Sequence, residues 1–156
     1  MHPSIVCGID TTTRASAIGG AARVAERFEA RLVLFHAVID VHRPRHLRHE
    51  ADLEVMHLHE RLAGLEMLRR GAITAGAGDA AECRCEIGDP VAWLTRVVQE
   101  EQAELLIVIP RNLHPMRKLL SGSVSAALMR RAPCPVLALP PTSLPEAPLL
   151  REIRAD

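Results

Sequence analysis

The chain has 156 residues, 48% of them hydrophobic and 24% charged, the make-up of one domain with a single substantial core. Nineteen Lys and Arg balance nineteen Asp and Glu, so no excess of positive charge draws the chain onto nucleic acid or an anionic membrane. Two Phe, one Trp and no Tyr leave no aromatic platform for stacking bases, and no stretch approaches the roughly 20 apolar residues of a membrane span.

Met1-His2-Pro3-Ser4 runs straight into an apolar segment, without the basic region, long apolar run and cleavage site of a signal peptide. A cytoplasmic protein is expected. Cys7, Cys83, Cys85 and Cys134 agree, since their spacing is not that of a disulfide framework. Ile5-Val6-Cys7-Gly8-Ile9 is a continuous apolar run, the mark of a strand covered on both faces. Asp10-Thr11-Thr12-Thr13 follows, rich in turn and capping side chains. From Arg14 to Ala30 the apolar residues recur at helical spacing, with Ala17, Ala21, Val24, Ala25 and Phe28 predicted on one face. Leu32 to Val38 is a second buried strand, and the unit so formed requires a right-handed connection between parallel strands.

Residues 40–46 are a polar loop. A long helix comes next, with Ala51, Val55, Leu58, Leu62 and Leu65 as its predicted core stripe, fading near Gly76 and Gly78. Glu82-Cys83-Arg84-Cys85-Glu86-Ile87 alternates charged and apolar, as in an edge strand open on one face. Asp89 and Pro90 start the next helix, a cap acceptor followed by a residue that needs no donor. Val91, Leu94, Val97 and Val98 are its apolar side, and Trp93 is expected to pack at its start. Leu105 to Ile109, the most apolar strand, belongs in the sheet interior. A basic loop from Pro110 to Ser121 leads to a helix from about Gly122 to Arg131, with Arg130 and Arg131 at the end where the helix dipole favours cations. Val136 to Leu139, bracketed by Pro135 and Pro140, suits an edge strand.

Five strands alternating with four helices predict an α/β fold, a doubly wound five-stranded parallel sheet with helices on both faces. The domain spans 1–140, and a Pro-rich tail, 141–156, follows. Ligands of such sheets bind beyond the carboxyl ends of the strands, where the strand order reverses. Asp10, the residues after Ala37 and the loop from Ile109 to Ser123 are therefore the positions to inspect.

At those positions the chain resembles the universal stress protein family. Lys118-Leu-Leu-Ser-Gly-Ser-Val-Ser125 followed by Ala132-Pro-Cys-Pro-Val-Leu137 carries the resemblance, with Ile9-Asp10, His36 and Gly88-Asp89-Pro90 in support. It covers about residues 4–140. The resemblance implies the sheet order 3-2-1-4-5 of adenine-nucleotide alpha-hydrolase-like folds, a stress-response role and a homodimer, formed through Val136 to Leu139. In the ATP-binding branch of the family the Asp after strand one, here Asp10, contacts the ribose. Strand-two backbone at Ala37 and Val38 would hold the adenine, and a glycine loop after strand four the phosphates, with Mg accompanying ATP.

The glycine positions of that loop fall on Ile109, Asn112, Gly122 and Ser123, with Val124 next. Gly122 and Ser123 still offer N–H groups at a helix start. Ile109 adds a β-branched side chain that resists positive φ, and Pro110 removes an N–H. Arg111, His114, Arg117 and Lys118 supply positive charge nearby. Two readings follow: a regulatory module with an altered ATP or adenine-nucleotide site, or a nucleotide-independent dimeric interaction protein of the same family.

No catalytic set is present: Gly-x-Ser-x-Gly, His-Glu-x-x-His and Gly-Lys-Ser/Thr are all missing, so no enzyme is expected. Asp10 has a plainer reading as the cap of the first helix. Cys83 and Cys85 share a strand face without a companion Cys/His pair, and read as core thiols. His42, His46, His49, His57 and His59 read as a solvated face, and no metal site is expected.

Overall fold

The computed structural model describes residues 2–40, 50–110 and 124–141. Among them run β1 (Ser4–Gly8), α1 (Ala15–Arg27), β2 (Arg31–Val38), α2 (Glu50–Thr74), β3 (Ala81–Ile87), α3 (Pro90–Glu100), β4 (Leu105–Val108), α4 (Val124–Arg131) and β5 (Val136–Ala138). All pairings are parallel and the sheet order is β3-β2-β1-β4-β5. The expected doubly wound five-stranded sheet is found, with β1 at its centre, β4 inside it and β3 and β5 at its edges.

The apolar runs of β1, β2 and β4 face two cores because successive side chains point to opposite faces. Ile5, Cys7, Leu32, Leu34 and Ile107 join Ile18, Ala21, Ala25, Leu68 and Ala72 of α1 and α2 in one layer. Val6, Val33, Phe35, Leu106 and Val108 join Leu94, Val97, Val98 and Leu128 of α3 and α4 in the other. At the amino ends of the strands, Arg31 pairs with Glu82 and Glu101, and Arg84 with Glu100 and Glu101, tying α3 to the β2–β3 edge.

Two predicted helix faces are corrected. In α1 the buried residues are Ala17, Ile18, Gly19, Ala21 and Ala25, while Phe28 is the C-cap and is 63% exposed. Its chain turns away there, with Glu29 at a φ of 50°. In α2 the expected stripe points to solvent: Val55, Leu58 and Leu62 are 55%, 54% and 53% exposed. The buried residues are Gly64, Leu68 and Ala72. Small side chains let this helix lie close to its neighbours. A Cβ on Gly64 would stand 2.3 Å from the Cys85 Sγ, and one on Gly71 2.7 Å from the Ile18 Cδ1.

Candidate functional site at the carboxyl ends of the strands

β1 delivers Asp10 to the middle of the sheet's carboxyl end. The Ile9 N–H donates to the Phe35 carbonyl at 2.8 Å, and the His36 Nδ1 lies 2.8 Å from the Ile9 carbonyl. A carbonyl only accepts, so this nitrogen carries the proton. Buried His36 thus fastens the last peptide before Asp10 to β2.

Asp10 is half-buried and closes a turn on itself. Its Oδ1 accepts from the Thr12 N–H at 2.8 Å, the Thr12 hydroxyl at 2.6 Å and the Thr13 hydroxyl at 3.2 Å. Its own N–H donates to the Thr13 Oγ1 at 3.1 Å. This is the Asx-turn arrangement open to an Asp with hydroxyl residues two and three positions on. It overturns the reading of Asp10 as the cap of α1. The N-cap of α1 is Arg14, which makes no side-chain cap bond. Thr12 and Thr13, which the sequence reading left unassigned, fix the carboxylate's orientation, and the Asp-x-Thr-Thr spacing was the signal for them.

Ala37 and Val38 are half-buried at the end of β2. The Val38 carbonyl is taken, accepting from the Gly88 N–H at 2.9 Å. That contact needs Gly88 at a φ of 139°. A Cβ at Gly88 would also meet the Trp93 Nε1 at 2.9 Å. Ala37 lies two residues beyond Phe35, so its N–H and C=O face the same way as the Phe35 carbonyl, toward the end of β1 and Asp10. Two residues past the Gly8–Phe35 pair, Asp10 and the backbone of Ala37 are therefore neighbours. Trp93 packs at the start of α3, as expected, donating from Nε1 to the Ile87 carbonyl at 2.9 Å.

Past β4, Ile109 is half-buried against the α1–α2 core layer, and Pro110 is buried. Ile109 does not occupy the positive-φ region, in keeping with its branched side chain. Val124 opens α4 and is 40% exposed. Asn112, Gly122 and Ser123, the basic residues Arg111 to Lys118, and His42, His46 and His49 lie outside the described residues, as does the tail beyond Pro141. Among the described residues, Asp10 and Ala37 are neighbours in the β1–β2 register, while the Val38 carbonyl is turned to β3.

The cysteines follow the core-thiol reading. Cys7 is fully buried and its thiol is pushed up to about 12, while burial pushes Cys85 up to about 11, so both stay protonated at neutral pH. Among the described residues no group of three His, Cys, Asp or Glu could hold a metal ion. The His57 Nε2 stands 3.8 Å from the Asp40 Oδ2. No helix among the described residues is long and apolar enough to cross a membrane.

An open parallel sheet of this order, with its turns gathered beyond the carboxyl ends, defines the doubly wound α/β class, whose ligands sit at the reversal between β1 and β4. Within that class the comparisons are specific. The Universal stress protein family profile matches residues 1–140. A Staphylococcus aureus (strain USA300) protein described as a universal stress protein is 26% identical over 146 residues, 92% of this chain and 87% of that one. A universal stress protein solved in complex with cAMP superposes with a TM-score of 0.62 at 26% identity, over 90% of this chain and 98% of that chain. A family member from Burkholderia pseudomallei gives 0.59 at 25% identity, over 88% and 96%. The chain belongs to the universal stress protein family.

Proposed function

We propose that this protein is a cytoplasmic regulatory module of the stress response that binds an adenine nucleotide, ATP among them, and performs no catalysis. The observation that carries this is the β1–β2 register at the carboxyl end of the sheet, which sets the turn-locked Asp10 beside the backbone of Ala37. The 26%-identical relative in complex with cAMP supports the choice of ligand. Asp10 would take the ribose hydroxyls, and Ala37 with Val38 the adenine edge. Ile109 and Pro110 are packed inward, so the phosphates would depend on Asn112, Gly122, Ser123 and Val124, with Mg arriving only with ATP.

The test is acid extraction of the purified protein, chromatography of the extract, and a thermal shift with ATP, ADP, AMP and cAMP. A ligand at a hundred times its Kd stabilises the folded state by about 2.7 kcal/mol. In a domain of this size that is a rise in Tm of about 5–10 °C. Asp10→Ala should abolish the rise. A rise that survives Asp10→Ala would place the site elsewhere.

A second reading is favoured by the inward-packed Ile109 and the free outer edge of β5, where Leu137 is 36% exposed. In it the protein works without nucleotide, as a homodimer joined through Val136 to Leu139. An empty extract and no shift with any of the four nucleotides would select it.

A further inference from the structure

α2 is longer than the sheet it covers. Its 25 residues span about 37 Å, against about 23 Å for the seven of β3. Gly64 lies level with Cys85 and His36, close to the carboxyl ends of β3 and β2. Counting back from Gly64 to Glu50, the amino-terminal half of α2 overhangs the strands by roughly 10–15 Å. Residues 50–63 include none that is buried.

Along one side of this overhang run Ala51, Val55, Leu58 and Leu62, all exposed. Their steps of four, three and four residues are the spacing of a two-helix seam. Soluble monomers seldom leave such a stripe to water. The edge of β3 beside it is closed to strand pairing. The Cys85 carbonyl accepts from the Arg61 Nε at 3.4 Å, the Ile87 carbonyl from Trp93, and the Ala81 N–H donates to the Ala77 carbonyl. What remains open is the helix face.

The charges flanking the stripe name its occupant. Glu54 and Arg61 border one side, and Asp52 and His59 the other. When a second copy is laid antiparallel about a two-fold axis midway between residues 56 and 57, Ala51 meets the partner's Leu62 and Val55 meets the partner's Leu58. Glu54 then faces the partner's Arg61, and Asp52 the partner's His59. Small lies against large, Glu54 meets the opposite charge of Arg61, and Asp52 meets a ring that can donate to it, the self-complementarity that an isologous contact demands. The Arg61 side chain is 47% exposed, so its guanidinium can meet the partner's Glu54 while its Nε stays on the Cys85 carbonyl. We propose that the overhanging half of α2 is a two-fold docking surface for a second copy of this chain, separate from the β5 edge and independent of the nucleotide reading.

Sedimentation over a concentration series of the full chain tests this, with Leu137→Lys as background so that β5 pairing does not contribute. That variant should still dimerise. Adding Leu58→Glu should raise the dimer Kd about tenfold or more, with an unchanged far-ultraviolet circular dichroism spectrum because the site is exposed. Glu54→Arg should weaken the dimer, and Glu54→Arg with Arg61→Glu should restore it. A Leu137→Lys protein that is monomeric throughout overturns the proposal, as does a dimer indifferent to Leu58→Glu. Failure of the paired charge reversal to restore association overturns the antiparallel register on which the choice of occupant rests. Equal masses for wild type and Leu137→Lys would count against the β5 edge alone.

Discussion

A Cβ at position 64 would overlap the Cys85 thiol, at 2.3 Å from Sγ, and press on the His36 Cδ2 at 3.3 Å. His36 in turn holds the Ile9 carbonyl, one residue before Asp10. Close contact between α2 and the sheet therefore reaches the site through one histidine. Alanine is the better helix former by about 1 kcal/mol, so an unconstrained Gly64→Ala would stabilise α2. Here the overlap decides the sign. Overpacking of this kind costs about 1–3 kcal/mol, and Gly64→Ala should lower the unfolding free energy in urea. Cys85→Ala removes the sulfur and leaves the Cys85 Cβ at 3.5 Å, an ordinary contact. The double variant should then recover most of the loss relative to Cys85→Ala alone. A Gly64→Ala protein as stable as wild type would show that the thiol simply rotates aside.

Local chemistry decided which elements could be read from the chain. Asp89 is the plainest case: its Oδ2 accepts from the Ala92 N–H at 2.7 Å, with Pro90 in the first helical turn, as the Asp-Pro pair predicted. Asp89→Ala should cost about 1 kcal/mol, or roughly 2–4 °C in Tm, while Asp89→Asn should stay near wild type. Equal melting of all three would show that the cap bond does not stabilise α3. The strands were equally legible, because β1, β2 and β4 are buried on both faces and their polar residues, Ser4, Arg31 and His36, are too few to break the apolar runs. α2 was misread for a physical reason. Its buried residues are Gly64, Leu68 and Ala72, of which only Leu68 carries a strong hydrophobic signal, while Val55, Leu58 and Leu62 occupy another side. Hydrophobic spacing finds the apolar stripe and cannot say whether the sheet or a second molecule receives it. At the site, Asp10 was visible as an acid at a strand end. Its Thr12 and Thr13 partners were passed over because turn residues looked like helix caps.

At the scale of the whole molecule, the sheet has two unequal edges. β3 is blunted by Arg61 and Trp93, whereas β5 is three residues long, with Leu137 and Ala138 exposed and, among the described residues, only its β4 side paired. An unpaired apolar edge invites another strand, and a two-fold contact between identical strands satisfies it without leaving a new edge. Leu137→Lys would place an ammonium group, and by symmetry its mate, in the middle of that contact. The charge is tolerated in the monomer because the position is already open to solvent. The expected outcome is a halving of the native mass by light scattering, with far-ultraviolet circular dichroism unchanged. A mass unaffected by Leu137→Lys would refute the β5 contact. The α2 overhang lies at the far side of the sheet from β5, so the two contacts are geometrically independent. If both form, Leu137→Lys and Leu58→Glu should each leave a dimer, and together they should leave a single chain.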